Sequence, residues 1–493
     1  MKRSSKIRHI NYSLIFRIIG WLLMIEAGFM ALPMLGARYW GEQTDFIAFA
    51  IAAGATLGGG AILTFGLPSH RHDMGKHEGF LLTALVWIVF SLFGMIPFII
   101  GSTHMNVSAS FFESMSGFTT TGCSSLPSVE VFSRSLNLWR TLMQWIGGMG
   151  IILFTLAVIP MLNHSGGMAM FNAEVTGITH DKLRPRVSQT AMSLWGMYFA
   201  LTAALVGLLW AGPMNLLDSV CHAFSTVSTG GFSTHDDSIG FYQSDYVVVV
   251  ITIFMFLGGT SFSLLYKALH GQRRSLRDND VFRAYVAIIL LSTIAIVVNQ
   301  ALLGEIGDWR DATIYPLFQV ISSLTSTGLS ICSMQHWNSF ILLLLLLLMF
   351  SGACAGSTSG GAKIDRMLVL YKNSRNELYR SLHPNAITRV RINSKVMSPD
   401  IVAKVVAFLC FFAMVIVGGA ILLTMLGVPL LESFFASMSA VTNSGYDSDV
   451  IGQSQAFVTV PSAGHWILSA LMLIGRLELF TVLILITPSF WRK

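Results

Sequence analysis

Four places in the sequence set two small polar residues directly before a glycine after a half-length apolar segment: Thr120-Thr121-Gly122, Ser228-Thr229-Gly230, Ser326-Thr327-Gly328 and Asn443-Ser444-Gly445. The glycines recur at intervals of roughly a hundred residues, so the pattern reads as an internal fourfold repeat. These turns pair no nucleophile with a base and show no metal-ligand spacing. What they can offer is main-chain carbonyl oxygen. Four similar turns meeting around one axis could aim carbonyls inward and replace the hydration shell of a cation. Glycine admits backbone angles that a Cβ forbids and lets an ion approach closely.

The flanking sequence repeats too. "ASFFESMSGFTTTGCSS", "LLDSVCHAFSTVSTGGFS", "YPLFQVISSLTSTGLSI" and "LLESFFASMSAVTNSGYDS" align without gaps on Gly122, Gly230, Gly328 and Gly445, with Phe112, Val220, Phe318 and Phe435 ten positions upstream. Each is a half-length apolar segment followed by a polar turn. A full apolar span follows each, carrying "QWIGGMG", "MFLGGTS", "MFSGACAG" and "LMLIGRLE", with Gly147, Gly258, Gly352 and Gly475 in register. Each unit therefore reads as span, short re-entrant helix, turn, span. The short helices would point their partly negative C-terminal ends at the centre, which favours a cation, and Asp218 and Glu432 complement the N-terminal ends of two of them. Irregular backbone at membrane depth is tolerated only where protein or a water-filled path surrounds it.

Composition sets these elements in a bilayer. The chain has 493 residues, 53% hydrophobic and 11% charged, with mean hydropathy +0.65. A soluble protein would carry about a quarter charged residues. The net charge of +6 reflects basic residues at a cytoplasmic face rather than nucleic-acid binding. Cys123, Cys221, Cys332, Cys354 and Cys410 show no CxxC and read as packing residues. The basic N-terminus lacks a small-residue cleavage site, so the first apolar run reads as a retained helix.

Apolar runs near 14–36, 46–67, 80–101, 138–162, 190–211, 244–268, 283–303, 339–352, 400–426 and 464–488 give about ten spans. Lys2, Arg3, Lys6 and Arg8, then Arg71 and Lys76, then Lys182, Arg184 and Arg186, then Lys267, Arg273, Arg274 and Arg277, then the stretch 363–397, all fall on one side if spans alternate. That side is the cytoplasm, with both termini in it. We divide the chain into two extra helices (1–70) and repeats at 71–180, 181–275, 276–397 and 398–493.

The third repeat's second span is interrupted by "SGACAGSTSGGAK" (351–363), whose glycine, serine and alanine give poor helix persistence. Gly356 to Gly361 has the glycine spacing of a phosphate-binding loop. Ala362 stands where that motif needs lysine, and no strand precedes it, so no nucleotide is expected on this chain. His222 and Glu113 read as hydrogen-bonded core residues, with pH sensing the rival role for His222. Asp236, Asp237, Asp447 and Asp449 follow turns and either gather cations at the outer mouth or are solvated. Glu26 and Arg17 have no assignment.

Together with the span "EGFLLTALVWIVFSLFGMIPF" (78–98), "GSTSGGAKIDR" (356–366) and "GRLELFTVLILITP" (475–488), the four turns resemble the Trk/Ktr/HKT superfamily of potassium transporters, and within it the bacterial TrkH type. The likeness covers nearly the whole chain, including the two-span start. It implies a potassium uptake subunit of the bacterial inner membrane, working as a homodimer. A cytoplasmic ring of TrkA-type subunits binding NAD(H) or adenine nucleotides would control it. Gly122, Gly230, Gly328 and Gly445 match the family's filter glycines, and glycine in all four turns goes with potassium preference there. The wording "VTNSGYD" departs from the family pattern. The family places a gating loop at 351–363, which nominates Gly352, Gly356, Gly360, Gly361 and Lys363. Arg476 matches its arginine projecting into the path, with pairing to a carboxylate such as Glu478 as the alternative.

The expectation is therefore an all-α polytopic membrane protein, not an enzyme, that passes K⁺ through a four-turn filter, with channel and symport both open. One rival keeps the pore but drives it as a KdpA-like subunit of an ATP-driven pump. Another is a polytopic membrane enzyme, which would need clustered His, Asp or Glu within spans.

Overall fold

The structure is a computed structural model and describes residues 10–68, 75–150, 187–304, 308–331, 337–393, 395–446, 457 and 460–491. Lys2, Arg3, Lys6, Arg8, Arg71, Lys182, Arg184, Arg186, Cys332, Asp447 and Asp449 lie outside them, as does the second half of the span expected over 138–162.

Six described helices are long and apolar enough to cross a membrane: Tyr12–Trp40, Gln43–Phe65, His77–Ile100, Ala191–Trp210, Asp280–Leu303 and Pro399–Met425. Their outward faces are apolar, with Leu35, Ile62, Leu291, Met414 and Met425 exposed, as expected for surfaces that meet hydrocarbon. The first two form a hairpin closed by Gly41, whose left-handed φ of 76° caps the first helix. They cross at Gly20 and Gly60: a Cβ on either would lie 2.7 Å from the other's carbonyl oxygen, so only small residues permit this approach. Arg17 donates to the Thr64 carbonyl (3.2 Å), which accounts for its charge near the helix end. Glu26 is fully buried, with no hydrogen-bond partner for either carboxyl oxygen among the described residues.

Each remaining first span is followed by a short helix: Val107–Phe118, Leu216–Val227, Ile314–Leu324 and Leu430–Thr442. At 11 to 13 residues they reach only about half of a bilayer. Asn106 and Asn215 cap the first two through their side chains. The second spans begin at Arg134–Gly148, Asp245–Gly259, Ser339–Ser351 and Ser462–Arg476. Each of these packs between its own repeat's short helix and the next: Arg134–Gly148 against Val107–Phe118 and Leu216–Val227, and so on round to Ser462–Arg476, which touches Leu430–Thr442 and Val107–Phe118. The order closes on itself, so the four repeats surround a common axis.

The interruption of a second span is not confined to the third repeat. Asp245–Gly259 and Phe262–Leu269 are bent by 105° at Thr260–Ser261, and the fourth repeat's second span breaks at Leu477 before Glu478–Ile486. In the second repeat the third repeat's loop explains the break: Cys354 N–H donates to the Gly259 carbonyl (3.1 Å), Thr358 N–H to the Gly258 carbonyl (3.4 Å), and Phe262 N–H to the Gly356 carbonyl (3.0 Å). Backbone groups freed at the bend find partners in the loop, as a low-dielectric setting demands. Beyond the loop, the polar helix Ile364–Leu382 leads to a two-residue antiparallel hairpin, Arg391–Ile392 with Lys395–Val396, the one strand pair among the described residues.

Candidate functional site

The four turns share one backbone conformation. Thr120, Thr229, Ser326 and Asn443 adopt left-handed φ values of 57°, 54°, 52° and 51°, and two residues later Gly122, Gly231, Gly328 and Gly445 do so at 85°, 83°, 78° and 66°. The residue between donates its N–H five residues back: Thr121 to Ser116, Gly230 to Ser225, Thr327 to Ser322 and Ser444 to Ser439, at 2.8–3.1 Å. This corrects the sequence alignment in the second repeat by one residue. Gly231, not Gly230, is the counterpart of Gly122, Gly328 and Gly445. Gly230 stands where the others have Thr121, Thr327 and Ser444, and Ser228 stands where they have Thr119, Thr325 and Thr442. The two adjacent glycines of "STGG" differ physically: only the second holds a positive φ. Ten residues upstream of the corrected set lie Phe112, Cys221, Phe318 and Phe435, the first three fully buried and the fourth half-buried, with Cys221 in place of the half-buried Val220.

The positive-φ glycines interlock. A Cβ on Gly122 would overlap the carbonyl oxygen of Gly230, one on Gly231 that of Thr327, one on Gly328 that of Ser444, and one on Gly445 that of Thr121. Each turn thus lays its glycine against the next turn's carbonyl in a closed cycle. Any side chain at these four positions displaces a neighbouring carbonyl and adopts a strained φ.

The hydroxyls hold this backbone in place. Thr119 donates to the Met115 carbonyl (2.6 Å) and pairs with Thr121 (2.8 Å), while Thr325 bonds Ile321 and Thr327, both at 2.7 Å. Thr442 likewise bonds Met438 (2.8 Å) and Ser444 (3.0 Å). Gly230 has no hydroxyl, and Gln144 from the first repeat's second span fills the space. Its Nε2 donates to the Gly230 carbonyl (2.7 Å) and its Oε1 accepts from Phe232 N–H (3.3 Å). The fourth turn's departure from the pattern also has a use: Asn443 Nδ2 donates to Thr121 Oγ1 (2.9 Å) and the Met472 carbonyl (3.0 Å), tying the last turn to the first.

Behind the ring, Glu113 and His222 occupy equivalent places. Glu113 accepts from Ser124 Oγ (3.2 Å) and Ser125 N–H (3.1 Å), and His222 Nε2 bonds the equivalent Ser233 (3.1 Å). Both are fully buried and anchor the irregular segment leaving their turn. Glu113 also pairs with Arg140 at 2.7 Å, and the guanidinium lies over the rings of Phe132 (4.4 Å) and Phe232 (4.0 Å). Gln319 and Ser323 of the third short helix donate to the Tyr446 hydroxyl, each at 3.0 Å. Sequence reading missed Arg140, Gln144 and Tyr446; nothing in their local spacing marks them. After the second turn Asp236 and Asp237 are exposed, and Asp236 accepts from Ser128 Oγ (2.7 Å) and Val129 N–H (2.6 Å).

The loop after Ser351 meets the second, third and fourth turns directly and the first only through Arg476. Thr358 Oγ1 lies 3.1 Å from the Val227 carbonyl in the second repeat. Gly360 donates its N–H to Ser326 Oγ in the third, and a Cβ on Gly360 would overlap the Thr442 carbonyl in the fourth. The Thr358 carbonyl accepts from Arg476 (3.3 Å), whose guanidinium also reaches Thr120 Oγ1 in the first (3.2 Å) and the Gly147 and Gly148 carbonyls (2.6 and 3.2 Å). Gly352 and Gly361, at φ 66° and 77°, touch backbone to backbone and pinch the loop at its base. Lys363, at φ 73°, donates its ammonium to the Ser359 carbonyl and Oγ. The Gly356 carbonyl serves the bend at Phe262. The Glu478 side chain lies outside the described residues.

Comparison with known proteins decides the family. The TrkH family, described as cation transport proteins, matches residues 47–493. The chain belongs to the TrkH family. Similar members include the Trk system potassium uptake protein TrkH of Salmonella typhimurium, 35% identical over 98% of this chain and all of that one. The protein of the same name in Escherichia coli K12 is 34% identical over the same shares. The crystal structure of the potassium transporter TrkH from Vibrio parahaemolyticus superposes on this TrkH-family chain with a TM-score of 0.88 and 31% identity, covering 98% of this chain and all of the other. Membership favours the Trk-type reading over the KdpA-like one, and with it the chain is a multi-pass membrane protein of a transporter family.

Proposed function

We propose that this chain takes up K⁺ across the bacterial inner membrane through the ring of four turns. The observation that carries this is the closed cycle of Gly122, Gly231, Gly328 and Gly445 against the carbonyls of Gly230, Thr327, Ser444 and Thr121. It fixes four stretches of backbone around one axis, with half-length helices aiming their carbonyl ends at it. Such a ring can replace a cation's water shell with oxygen held in place beforehand. Thr120, Thr121, Ser228, Thr229, Ser326, Thr327, Asn443 and Ser444 supply the carbonyls and the scaffold, with Gly231 added to the filter glycines. The hydroxyls serve through the bonds that hold the turns rather than through the ion.

The loop 351–363 is the gate. It lies against the second, third and fourth turns and is tied to the first through Arg476, a cation in the path of a cation. Gly352 and Gly361 form its hinge, and Lys363 fixes the start of the helix that leads into the cytoplasm. A homodimer controlled by a cytoplasmic nucleotide-binding ring fits this arrangement, since a partner pulling on Ile364–Leu382 would act on the loop's end. Only a partner that binds open and closed states unequally can shift it. In this reading 363–397 and both termini face the cytoplasm and the turns face the periplasm.

The test is reconstitution in liposomes with an outward-facing K⁺ load. K⁺ flux that exceeds Na⁺ flux supports the reading, and flux that does not distinguish the two ions overturns it. Repeating the measurement with and without a pH gradient separates a channel from a proton symporter.

A further inference from the structure

A second site lies away from the ring. A cavity of about 310 Å³ opens between the helix Ile364–Leu382 and the hairpin that follows it, lined by Lys372, Arg375, Tyr379, Arg389 and Arg391. Every charged side chain in its lining is cationic. Arg380, close by, is already paired with Glu377 at 3.2 Å, and Lys372 with Asp280 at 2.9 Å. Arg375, Arg389 and Arg391 have no carboxylate within ion-pair distance among the described residues, and all three are exposed. Three such arginines around one concavity, with a phenol among them, make a receptor for a phosphate group. Guanidinium presents the forked donors that phosphate oxygens match.

Two further observations identify the phosphate's carrier. The cavity sits at the ends of two spans. Asp280, which holds Lys372, is the first residue of Asp280–Leu303 and donates its backbone N–H to Asn393 Oδ1 in the hairpin (2.7 Å), while Pro399–Met425 begins just after the hairpin. That is the depth of lipid headgroups. Beside the cavity the same helix exposes an apolar stripe at Tyr371, Leu378 and Leu382, and the neighbouring Ile387 is 89% exposed. Positions 371, 378 and 382 share one helix face. An apolar stripe flanked by arginines is the pattern of a helix lying in the membrane interface.

We infer that the cavity binds the phosphate headgroup of an anionic phospholipid, with Tyr371, Leu378, Leu382 and Ile387 seated among the acyl chains beside it. The helix begins where the gating loop ends, so lipid bound here fixes the lever through which the loop is moved. The inference takes the cytoplasmic placement of 363–397 from the reading above, yet its test reads binding and needs no K⁺ flux, so the two can fail separately.

The experiment uses the full-length protein purified in uncharged detergent. Thermal unfolding is followed while short-chain phosphatidylglycerol, short-chain phosphatidylcholine, inorganic phosphate or ATP is titrated. Phosphatidylglycerol should raise the unfolding temperature where phosphatidylcholine does not. Its half-saturating concentration should increase by roughly tenfold or more in the variant Arg375→Ala with Arg389→Ala, since each basic residue at an anionic surface contributes measurably. A control variant, Arg273→Ala with Arg274→Ala, removes two arginines outside the lining and should match wild type. Stabilisation by inorganic phosphate or ATP at the same concentrations as phosphatidylglycerol would overturn the lipid assignment. Equal response of wild type and the cavity variant would overturn the site. So would loss of cytoplasmic-partner binding in the cavity variant with its lipid response intact, which would make the surface a protein interface.

Discussion

Arg476 donates a hydrogen bond to the carbonyl oxygen of Thr358, 118 residues away in the chain, and through its other nitrogen bonds the Gly147 carbonyl at 2.6 Å. One guanidinium thus fastens the third repeat's loop to the first repeat's second span, directly beneath the turns. Charge-assisted bonds of this kind contribute about 1.5–3 kcal/mol each. Arg476→Ala should raise K⁺ flux in liposomes by about tenfold, both by freeing the loop and by removing a positive charge from the path. Arg476→Lys keeps the charge but loses the forked geometry, so it should fall between the two. Flux in Arg476→Ala at or below wild type, in a folded protein, would remove the latch from the account.

Shortening the loop within 355–361 should also raise flux, and should weaken its dependence on the cytoplasmic partner. Gly352→Ala or Gly361→Ala should do the reverse or disrupt the loop altogether, because each residue has a positive φ and its Cβ would strike backbone across the hinge. Single-channel recording with and without the partner distinguishes these outcomes.

Serine at Gly122, Gly231, Gly328 or Gly445 should lower K⁺ over Na⁺ preference, since each Cβ would push aside the next turn's carbonyl. Gly230→Ser should behave differently. Its Cβ meets the Gln144 side chain rather than a carbonyl, and serine is what Ser444 already provides at the equivalent place. Gly230→Ser should therefore lose less selectivity than Gly231→Ser, and Gln144→Ala should restore part of what it loses. Reversal potentials under mixed K⁺ and Na⁺ give the ranking. If Gly230→Ser proves the more damaging of the two, the register described here is wrong.

Glu113→Gln leaves the Arg140 guanidinium buried without its carboxylate. Breaking a fully buried pair from one side costs about 3–5 kcal/mol. The thermal midpoint in detergent should fall accordingly. Adding Arg140→Met, which removes the stranded charge, should recover part of the loss.

In a cysteine-free background, a thiol introduced at Asp237, exposed beside the second turn, should react with a membrane-impermeant reagent added outside cells. One at Lys372 should react only after permeabilisation. The opposite result would invert the assigned sidedness.

The apolar runs that fall within the described residues and the four turns were legible because their signals are local: a run of apolar residues, or two small polar residues before a glycine. Asp280–Leu303 and Pro399–Met425 fall within a few residues of the runs at 283–303 and 400–426. The second turn's register was not legible, because "STGG" offers two glycines and only the backbone angle tells them apart. Nor was the bend at Thr260–Ser261, whose cause is a set of hydrogen bonds to a loop about a hundred residues downstream. Gln144 and Arg140 were invisible for the same reason: each answers a need, a missing hydroxyl at Gly230 or a buried charge at Glu113, that arises in another part of the chain.

Asn443 binds Thr121 across 322 residues of chain, and the cycle of glycines closes where Gly445 meets that same Thr121. A ribosome delivers the first three turns into the membrane well before the fourth exists. Until the last quarter is translated and inserted, the ring of turns has an open side. If the ring selects among ions as proposed, a prematurely terminated product lacks the means to discriminate among them, and a selective conduit exists only once translation has passed the fourth turn.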